Sequence, residues 1–366
     1  MRQQSDEKPT ALDLYCGVGG LSLGSIHAGF TPIGAVDLDQ TALDAYRVNF
    51  PKVPVAKLDL RTATAADLRR DLGLSDTPID LLIGGPPCQG FSVGGVGAKR
   101  DPRNKGVLAF ARLVAELRPR YFVMENVRGF LAPKHAARRN NFCKLVKDAG
   151  YTVRLPIQAL NAADYGVPQR RIRAFVLGHA GGEAAPEYPS PDDFAKPTVW
   201  DAIGDLSLLD RHCSDCDCDH YTGPFGVASD FAVGLRKRLS GRMVHRLSGC
   251  LRSRHSSAVV ARFRATKPGD QEDVSRYYRL AWNGISPTLR AGTGPDHGSH
   301  TAPRPIHPGR ARCITVREAA RLHTFPDWFA FHGTKWHGFR QIGNSVPPYL
   351  AKAILSTIHK LLLQSR

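Results

Sequence analysis

Acidic residues are scarce in this chain. Its 366 residues hold 33 Asp and Glu against 50 Lys and Arg, for a formal net charge of +17. That imbalance argues against a cationic partner and favours a polyanionic one, with solubility as the plainer use of the charge. No uninterrupted apolar run is long enough to cross a bilayer, which excludes a helical membrane span. The first ten residues, "MRQQSDEKPT", lack the apolar core of a secretory signal, so the expected location is intracellular. The eight cysteines are then expected to be free, catalytic or metal-bound rather than bridged. No period of repeated sequence occurs, which excludes a solenoid.

What is present is an alternation. "ALDLY", "PIGAVD", "KVPVAKLD", "IDLLIGG", "YFVMENV" and "RAFVLG" read as strands. Between them, residues 20–28, 40–49, 65–72, 106–117 and 134–149 read as helices. Such an order predicts an α/β fold with a mostly parallel sheet and helices on both faces. The texture changes after Gly178, where "GHAGGEAAPEYPSPDD" reads as a linker. From His220 to Cys313 there are 16 Lys and Arg against 5 Asp and Glu, which predicts a smaller, loop-rich, basic domain. Within it "YYRLAWNGISPTLRAGTG" reads as strand-like core. The tail "PPYLAKAILSTIHKLLL" reads as an amphipathic helix packing on the first domain, with prolines in its first turn. The predicted domains are 1–178, catalytic and cofactor-binding; 179–335, small; and 336–366, returning to the first.

Three strand ends carry polar chemistry. "DLYCGVGGLSLG", residues 13–24, places Gly17, Gly19 and Gly20 after the first strand, where a ligand can approach the backbone at the start of a helix. Asp37 ends the second strand, where a carboxylate can hold the two hydroxyls of a ribose. Asp59 follows the third, placed to reach an adenine amino group. Either carboxylate alone would more often be a helix cap or a solvated loop residue. The spacing G-x-G-x-x-G is absent, which argues against NAD and for a nucleoside cofactor without phosphates.

The fourth strand ends in "GGPPCQGFS". Prolines stiffen the backbone before Cys88, and small residues loosen it after. A packed structural thiol needs no such frame. A thiol on a loop at the carboxyl end of a strand sits where open α/β sheets carry their chemistry.

Together, "DLYCGVGGLSLG", "GGPPCQGFS", "ENV" at 125–127, "PQRRIR" at 168–173, "TVREAARLHTFP" at 315–326 and "RQIGNSVPP" at 340–348 resemble the DNA cytosine C5-methyltransferases, in that family's order. Two positions depart from the family's pattern: Cys16 replaces a small residue such as alanine, and Asp37 replaces a longer glutamate. The resemblance implies a Rossmann-like S-adenosylmethionine-dependent methyltransferase sheet plus a smaller target-recognition domain. It implies S-adenosylmethionine as cofactor and Cys88 as the nucleophile that attacks C6 of a flipped-out cytosine. A protonated carboxyl near N3 would absorb the charge that builds on the ring, a role the resemblance gives Glu125. Asn126 would hold the loop or contact the base. Arg171 and Arg173, two apart on one strand face, would orient the cytosine and Glu125. Cofactor contacts are implied for Asp13, Tyr15, Gly17, Gly19, Gly20, Asp37, Leu38, Asp59, Leu60, Pro87 and Leu108, with Asn344 and Ser345 at the methionine part.

DNA contacts are implied for Gln89, Ser92 and Arg103, on a basic loop after Cys88 that reads as a lid. Sequence reading is expected in the basic insert. Candidates there are Arg242, His245, Arg246, Arg252, Arg254, Arg276 and Arg290, with Arg242, Arg246 and Arg290 foremost. "TVREAARLHTFP" is expected to organise the small domain, with Arg317 and Glu318 as an ion pair. "HCSDCDCDH" brings Cys213, Cys216, Cys218 and His220 close enough to suggest zinc. Structural zinc uses two separated ligand pairs, so the expectation is a polar surface loop and no metal. Double-stranded DNA is the expected partner, with a cognate restriction endonuclease acting on the same site. The expected state is a cytoplasmic monomer, drawn to the nucleoid by its DNA. Two other readings remain: a transfer-RNA cytosine methyltransferase, disfavoured by the basic insert and the missing "CFT" tripeptide, and a catalytically silent DNA-binding regulator.

Overall fold

Short, largely apolar segments form the central strands. In the computed structural model, which describes residues 8–87, 106–212, 219–292 and 304–365, they are β1 (Thr10–Leu14), β2 (Thr31–Asp37), β3 (Val55–Lys57), β4 (Leu81–Gly84) and β5 (Tyr121–Val127). Their neighbours run parallel in the order β3-β2-β1-β4-β5. The sheet continues antiparallel through β8 (Ile172–Ala180) to β6 (Tyr151–Val153), and β7 (Gln158–Asn161) also pairs with β8. Full burial on both faces explains why β4 reads as an unbroken apolar run. The helices between the strands are α1 (Gly20–Ala28), α2 (Gln40–Asn49), α3 (Ala65–Leu72), α4 (Gly106–Leu117) and α5 (Ala136–Asp148). The α/β class is therefore as expected. Two short strands, β6 and β7, have too few residues to show a period of their own.

The chain divides into two units. The first takes everything up to Asn161, then Ile172–Pro191 and Leu350 onward; the second takes Ala162–Arg171 and Asp192–Tyr349. The first unit's core joins Leu12, Leu14, Val36, Leu82, Phe110, Phe122 and Met124, all buried. Most of α12 (Pro348–Gln364) belongs to it: His359 packs edge-on against Phe30 at 5.3 Å, and Arg120 donates to Ser365 Oγ at 2.7 Å.

The second unit has short helices: α6 (Val199–Ile203), α7 (Leu209–His212), α8 (Asp230–Arg236), α9 (Ser257–Ala265), α10 (Val316–Leu322) and α11 (Lys335–Asn344). Among its described residues the extended segments meet only through isolated bridges, such as Gln271 with Tyr278 and Arg279 with Ile306. The strand-like core expected at 277–294 is thus irregular over its described residues, 277–292, although Leu280 and Leu289 are buried in it. Buried ion pairs stand beside its apolar clusters, such as that of Leu206, Leu209, Tyr221, Val244 and Leu247. Arg321, fully buried, bridges Asp205 at 2.5 Å and Asp327 at 2.7 Å. Arg312 bridges Asp210 and Glu318, each at 2.9 Å.

Arg317 and Glu318 do not pair with each other, contrary to expectation. Glu318 closes a capping box on Thr315 at the start of α10 and binds Arg312. Arg317 donates to the carbonyls of Ser248, Pro326 and Phe329. Adjacent helical residues point about 100° apart, so each finds its own partner.

Candidate active site

Strand order reverses between β1 and β4, and the crevice beyond their carboxyl ends is the switch point where open α/β sheets bind ligands. The register places there the ends of β1, β2 and β4, and the last residues of β5.

After β1 the chain turns sharply. Tyr15 has φ of 58°, Gly17 55° and Gly19 97°, and the Gly19 amide closes the turn on Cys16 O at 2.9 Å. A left-handed tyrosine is uncommon and marks a backbone that its surroundings hold in place. Its hydroxyl donates to Gly106 O at 3.3 Å. Gly19 is the N-cap of α1, with no side chain to serve the helix's free amides. A Cβ there would lie 2.4 Å from the Phe50 ring, whereas a Cβ on Gly17 meets nothing within 4 Å among the described residues. Thus Gly19 is a glycine for packing, and Gly17 leaves open space.

Asp13, 1% exposed, accepts from Ser22 Oγ at 2.6 Å, and Tyr46 donates to Ser22 at 2.8 Å. Burial pushes the Asp13 carboxyl up to about 7, against the Ser22 hydrogen bond. Its Oδ1 is buried with no hydrogen-bond partner among the described residues. Asp37 accepts from the Gly17 amide at 2.8 Å and from the Leu38 and Asp39 amides at 2.7 and 2.9 Å. Burial raises its pKa while those amides oppose the rise. Asp39, not Asp37, caps α2. Asp59 forms a fork with Arg61, which holds its pKa below the usual range. Leu38 is half exposed, and Pro87 is exposed. Leu108 is partly buried on the first turn of α4. Leu60 is turned into the core, so only its backbone remains for a ligand. An orphaned buried carboxylate oxygen, a carboxylate on the glycine loop and open space at Gly17 suit a ligand with amino and hydroxyl groups.

Glu125 stands on β5, and Arg173 opposes it from β8, with Nε 3.0 Å from Oε1. A Cβ on Gly85 would lie 3.2 Å from Glu125 Oε2, so the carboxyl overhangs the end of β4. Asn126 is buried; its Oδ1 accepts from the Val127 amide at 2.9 Å, and its Nδ2 faces Pro86 O at 3.5 Å. Pro86 and Pro87 pack on Gly106 at the start of α4. Cys88, Gln89, Ser92 and Arg103 lie outside the described residues, as do Cys213, Cys216 and Cys218.

Arg171 and Arg173 of "QRRIR" do not share a strand face. Arg171 precedes β8 and belongs to the second unit. Its guanidinium, 2% exposed, donates to the carbonyls of Leu289 at 3.1 Å, Gly343 at 2.9 Å and Ser345 at 2.8 Å. Gln169 reinforces this: its Oε1 accepts from the Leu289 amide, and its Nε2 reaches His323, which meets Ser345 O at 3.0 Å. Nothing in a six-residue motif foretells partners more than 100 residues away. The segment so fastened presents Asn344 exposed and Ser345 buried.

Among the recognition candidates, Arg242, His245, Arg246, Arg276 and Arg290 are exposed. Arg254 and His220 are exposed as well. Arg252 is a correction: it is partly buried and pairs with Asp210 at 3.1 Å, a partner that also serves Arg312. Among the described residues no group of His, Cys, Asp and Glu is placed to hold a metal ion, and no helix is long and apolar enough to cross a membrane.

Known proteins share this architecture. Residues 10–360 match the model of the C-5 cytosine-specific DNA methylases. The type II methyltransferase M.XorII of Xanthomonas oryzae is 45% identical over 97% of this chain and 85% of its own. M1.HphI of Haemophilus parahaemolyticus is 32% identical over 96% and 87%. A solved prophage-encoded protein of E. coli, named as a DNA modification methyltransferase, is 36% identical, covers 97% of this chain and 99% of that one, and superposes with a TM-score of 0.83. The chain belongs to the C-5 cytosine-specific DNA methylase family and is a DNA (cytosine-5-)-methyltransferase, of a family whose methyl donor is S-adenosylmethionine.

Proposed function

We propose that this enzyme methylates C5 of a cytosine flipped out of a short specific sequence in duplex DNA, through a covalent bond between Cys88 and C6. A stacked cytosine hides C6, so the base must leave the helix first. The Cys88 thiolate adds to C6, the ring loses its aromaticity, and C5 becomes an enamine carbon. The carboxyl of Glu125 faces N3 and supplies the proton or hydrogen bond that offsets the added charge. Arg173 orients that carboxyl, and Asn126 steadies the loop that bears the thiol. S-adenosylmethionine, when bound, supplies an electrophilic methyl carbon beside C5. Asp13, Asp37, Asp59 and the backbone at Gly17, Gly19 and Gly20 hold it; Asn344 and Ser345 serve its methionine part. Loss of the C5 proton then restores the double bond and releases Cys88.

One observation carries this reading. Glu125, opposed by Arg173 at 3.0 Å, overhangs Gly85 at the root of the loop that leads to Cys88. The type II relatives suggest that the methylated site is one a companion restriction endonuclease would otherwise cut. Bisulfite sequencing of DNA from cells expressing the chain, beside Cys88→Ala, tests both claims. Methylated cytosines in one recurrent sequence, absent with the variant, are expected. Methylation that survives Cys88→Ala would refute the covalent route.

A further inference from the structure

The second unit holds a cleft of about 410 Å³ to which the reaction above gives no role. Ser253, His255, Arg262, Phe263, Tyr277 and Arg304 line it. Two arginines face it, and their situations differ. Arg262 is neutralised by Glu272 at 2.9 Å. Arg304 has its guanidinium 4.4 Å from the centroid of the Phe339 ring, and among the described residues no carboxylate or other acceptor bonds to it. The side chain is partly buried, which lowers its pKa, and no carboxylate among the described residues pairs with it. A desolvated cation is costly unless an anion completes it, and a guanidinium fork suits phosphate oxygens in particular.

The rest of the lining supplies neutral donors. The Tyr277 hydroxyl has no hydrogen-bond partner among the described residues. His255 accepts from the Cys313 amide through Nε2 at 3.3 Å, and burial together with Lys335, Arg312 and Arg304 lowers its pKa. It is therefore neutral at pH 7, with Nδ1 left to donate. Lys335 adds positive potential, its Nζ donating to Arg252 O at 2.9 Å. One uncompensated cation amid neutral donors is the complement of one anionic group. The volume is larger than a bare phosphate needs and leaves room for the sugar attached to it.

We propose that this cleft receives one phosphodiester of the DNA duplex, with Arg304 as its direct ligand. The assignment rests on duplex DNA being the substrate. It concerns affinity and register and leaves base readout to other residues, because phosphate contacts position a protein without reading sequence. The experiment compares full-length wild type, Arg304→Gln and Arg304→Lys, each checked for folding by circular dichroism. Binding to labelled duplexes of several sequences is followed by anisotropy between about 50 and about 200 mM salt. Arg304→Gln should weaken binding several-fold on every sequence and reduce the salt slope by about 1, and Arg304→Lys should restore most of the slope. An unchanged slope in folded Arg304→Gln would overturn the proposal, and so would a loss confined to one sequence, which would make Arg304 a base reader. Inorganic phosphate is the second probe. If it stabilises wild type but not Arg304→Gln while their DNA slopes agree, the cleft serves a free anion and the assignment is wrong. The same preparations are scored for methyl transfer. A wild type that methylates DNA while Arg304→Gln binds like it refutes the cleft alone; a wild type that neither binds nor methylates duplex refutes the substrate reading and the cleft with it.

Discussion

Gly17 and Gly19 lie two residues apart in one loop, yet alanine at each should fail in a different way. Both have positive φ, so an added Cβ at either costs about 1–2 kcal/mol of backbone strain. At Gly17 that is the whole cost to the fold, because a Cβ meets nothing within 4 Å among the described residues. At Gly19 the Cβ would fall 2.4 Å from the Phe50 ring and 2.9 Å from that of Tyr46. Neither ring yields easily: Phe50 is 5% exposed, Tyr46 is fully buried, and the Tyr46 hydroxyl is bound to Ser22. Overpacking of that kind adds about 1–3 kcal/mol, for a total of about 2–5 kcal/mol. Denaturant unfolding should therefore rank wild type, Gly17→Ala and Gly19→Ala in falling order of midpoint, with equal slopes. Calorimetric titration with S-adenosylmethionine should show the larger affinity loss in Gly17→Ala, where the methyl intrudes on the space left for the ligand. Equal midpoints for the two variants would refute the packing argument. Unchanged cofactor affinity in Gly17→Ala would refute the claim that this space is ligand space.

Glu125→Gln should keep DNA affinity and lower the single-turnover methylation rate by roughly 10²–10⁴-fold, in line with general acid contributions; a rate within a few-fold of wild type would remove Glu125 from the chemistry. Asp13 titrates at 3.8 in an unfolded chain and at about 7 when buried, so the stability it contributes is present below 3.8 and is lost as pH rises through about 7. Stability of wild type relative to Asp13→Asn should accordingly fall between those limits, as read from denaturation midpoints across pH, and a flat difference would contradict the burial. Arg321→Met removes the shared partner of Asp205 and Asp327 inside the second unit, and the stranded carboxylates should cost about 3–5 kcal/mol in unfolding free energy.

The strand ends were legible because their information is local. An apolar run, then glycine or an acidic residue, then a helix cap is enough to place Asp37, Gly85 and Glu125 at one edge of a sheet. Arg171 was not legible. Period-two reasoning puts it on the same face as Arg173, but a strand must begin somewhere, and β8 begins at Ile172, one residue too late. What Arg171 does depends on carbonyls 118 to 174 positions away, which no local pattern encodes. Glu318 and Arg317 failed for a related reason: adjacency in sequence suggests a pair, and helical geometry separates them. In the second unit the sequence shows charge and loops, and the structure turns much of that charge inward.

That inward turn changes what the basic composition means. Between His220 and Cys313 the sequence counts 16 Lys and Arg, which taken alone would describe a broad nucleic-acid surface. Several are already bound within the unit, some buried and some partly exposed. Arg236 binds Asp205, Arg252 and Arg310 bind Asp210, Arg262 binds Glu272, and Arg312 binds both Asp210 and Glu318. Arg279 donates to four carbonyls, those of Phe263, Arg264, Thr266 and Pro308. These arginines add to the unit's apolar core, which includes Leu206, Leu247, Phe263, Phe325 and Phe329, by tying irregular backbone together. They are removed from counterion exchange with DNA, since a charge already paired releases no ion when a phosphate arrives. The cations that remain exposed, Lys237, Arg238, Arg242, Arg246, Arg254, Arg264, Lys267, Arg276 and Arg290, with Arg304 in its cleft, are therefore a better measure of the charge open to DNA than the count is. A basic sequence of this kind encodes two things at once, a framework and a surface, and only the partners of each arginine tell them apart.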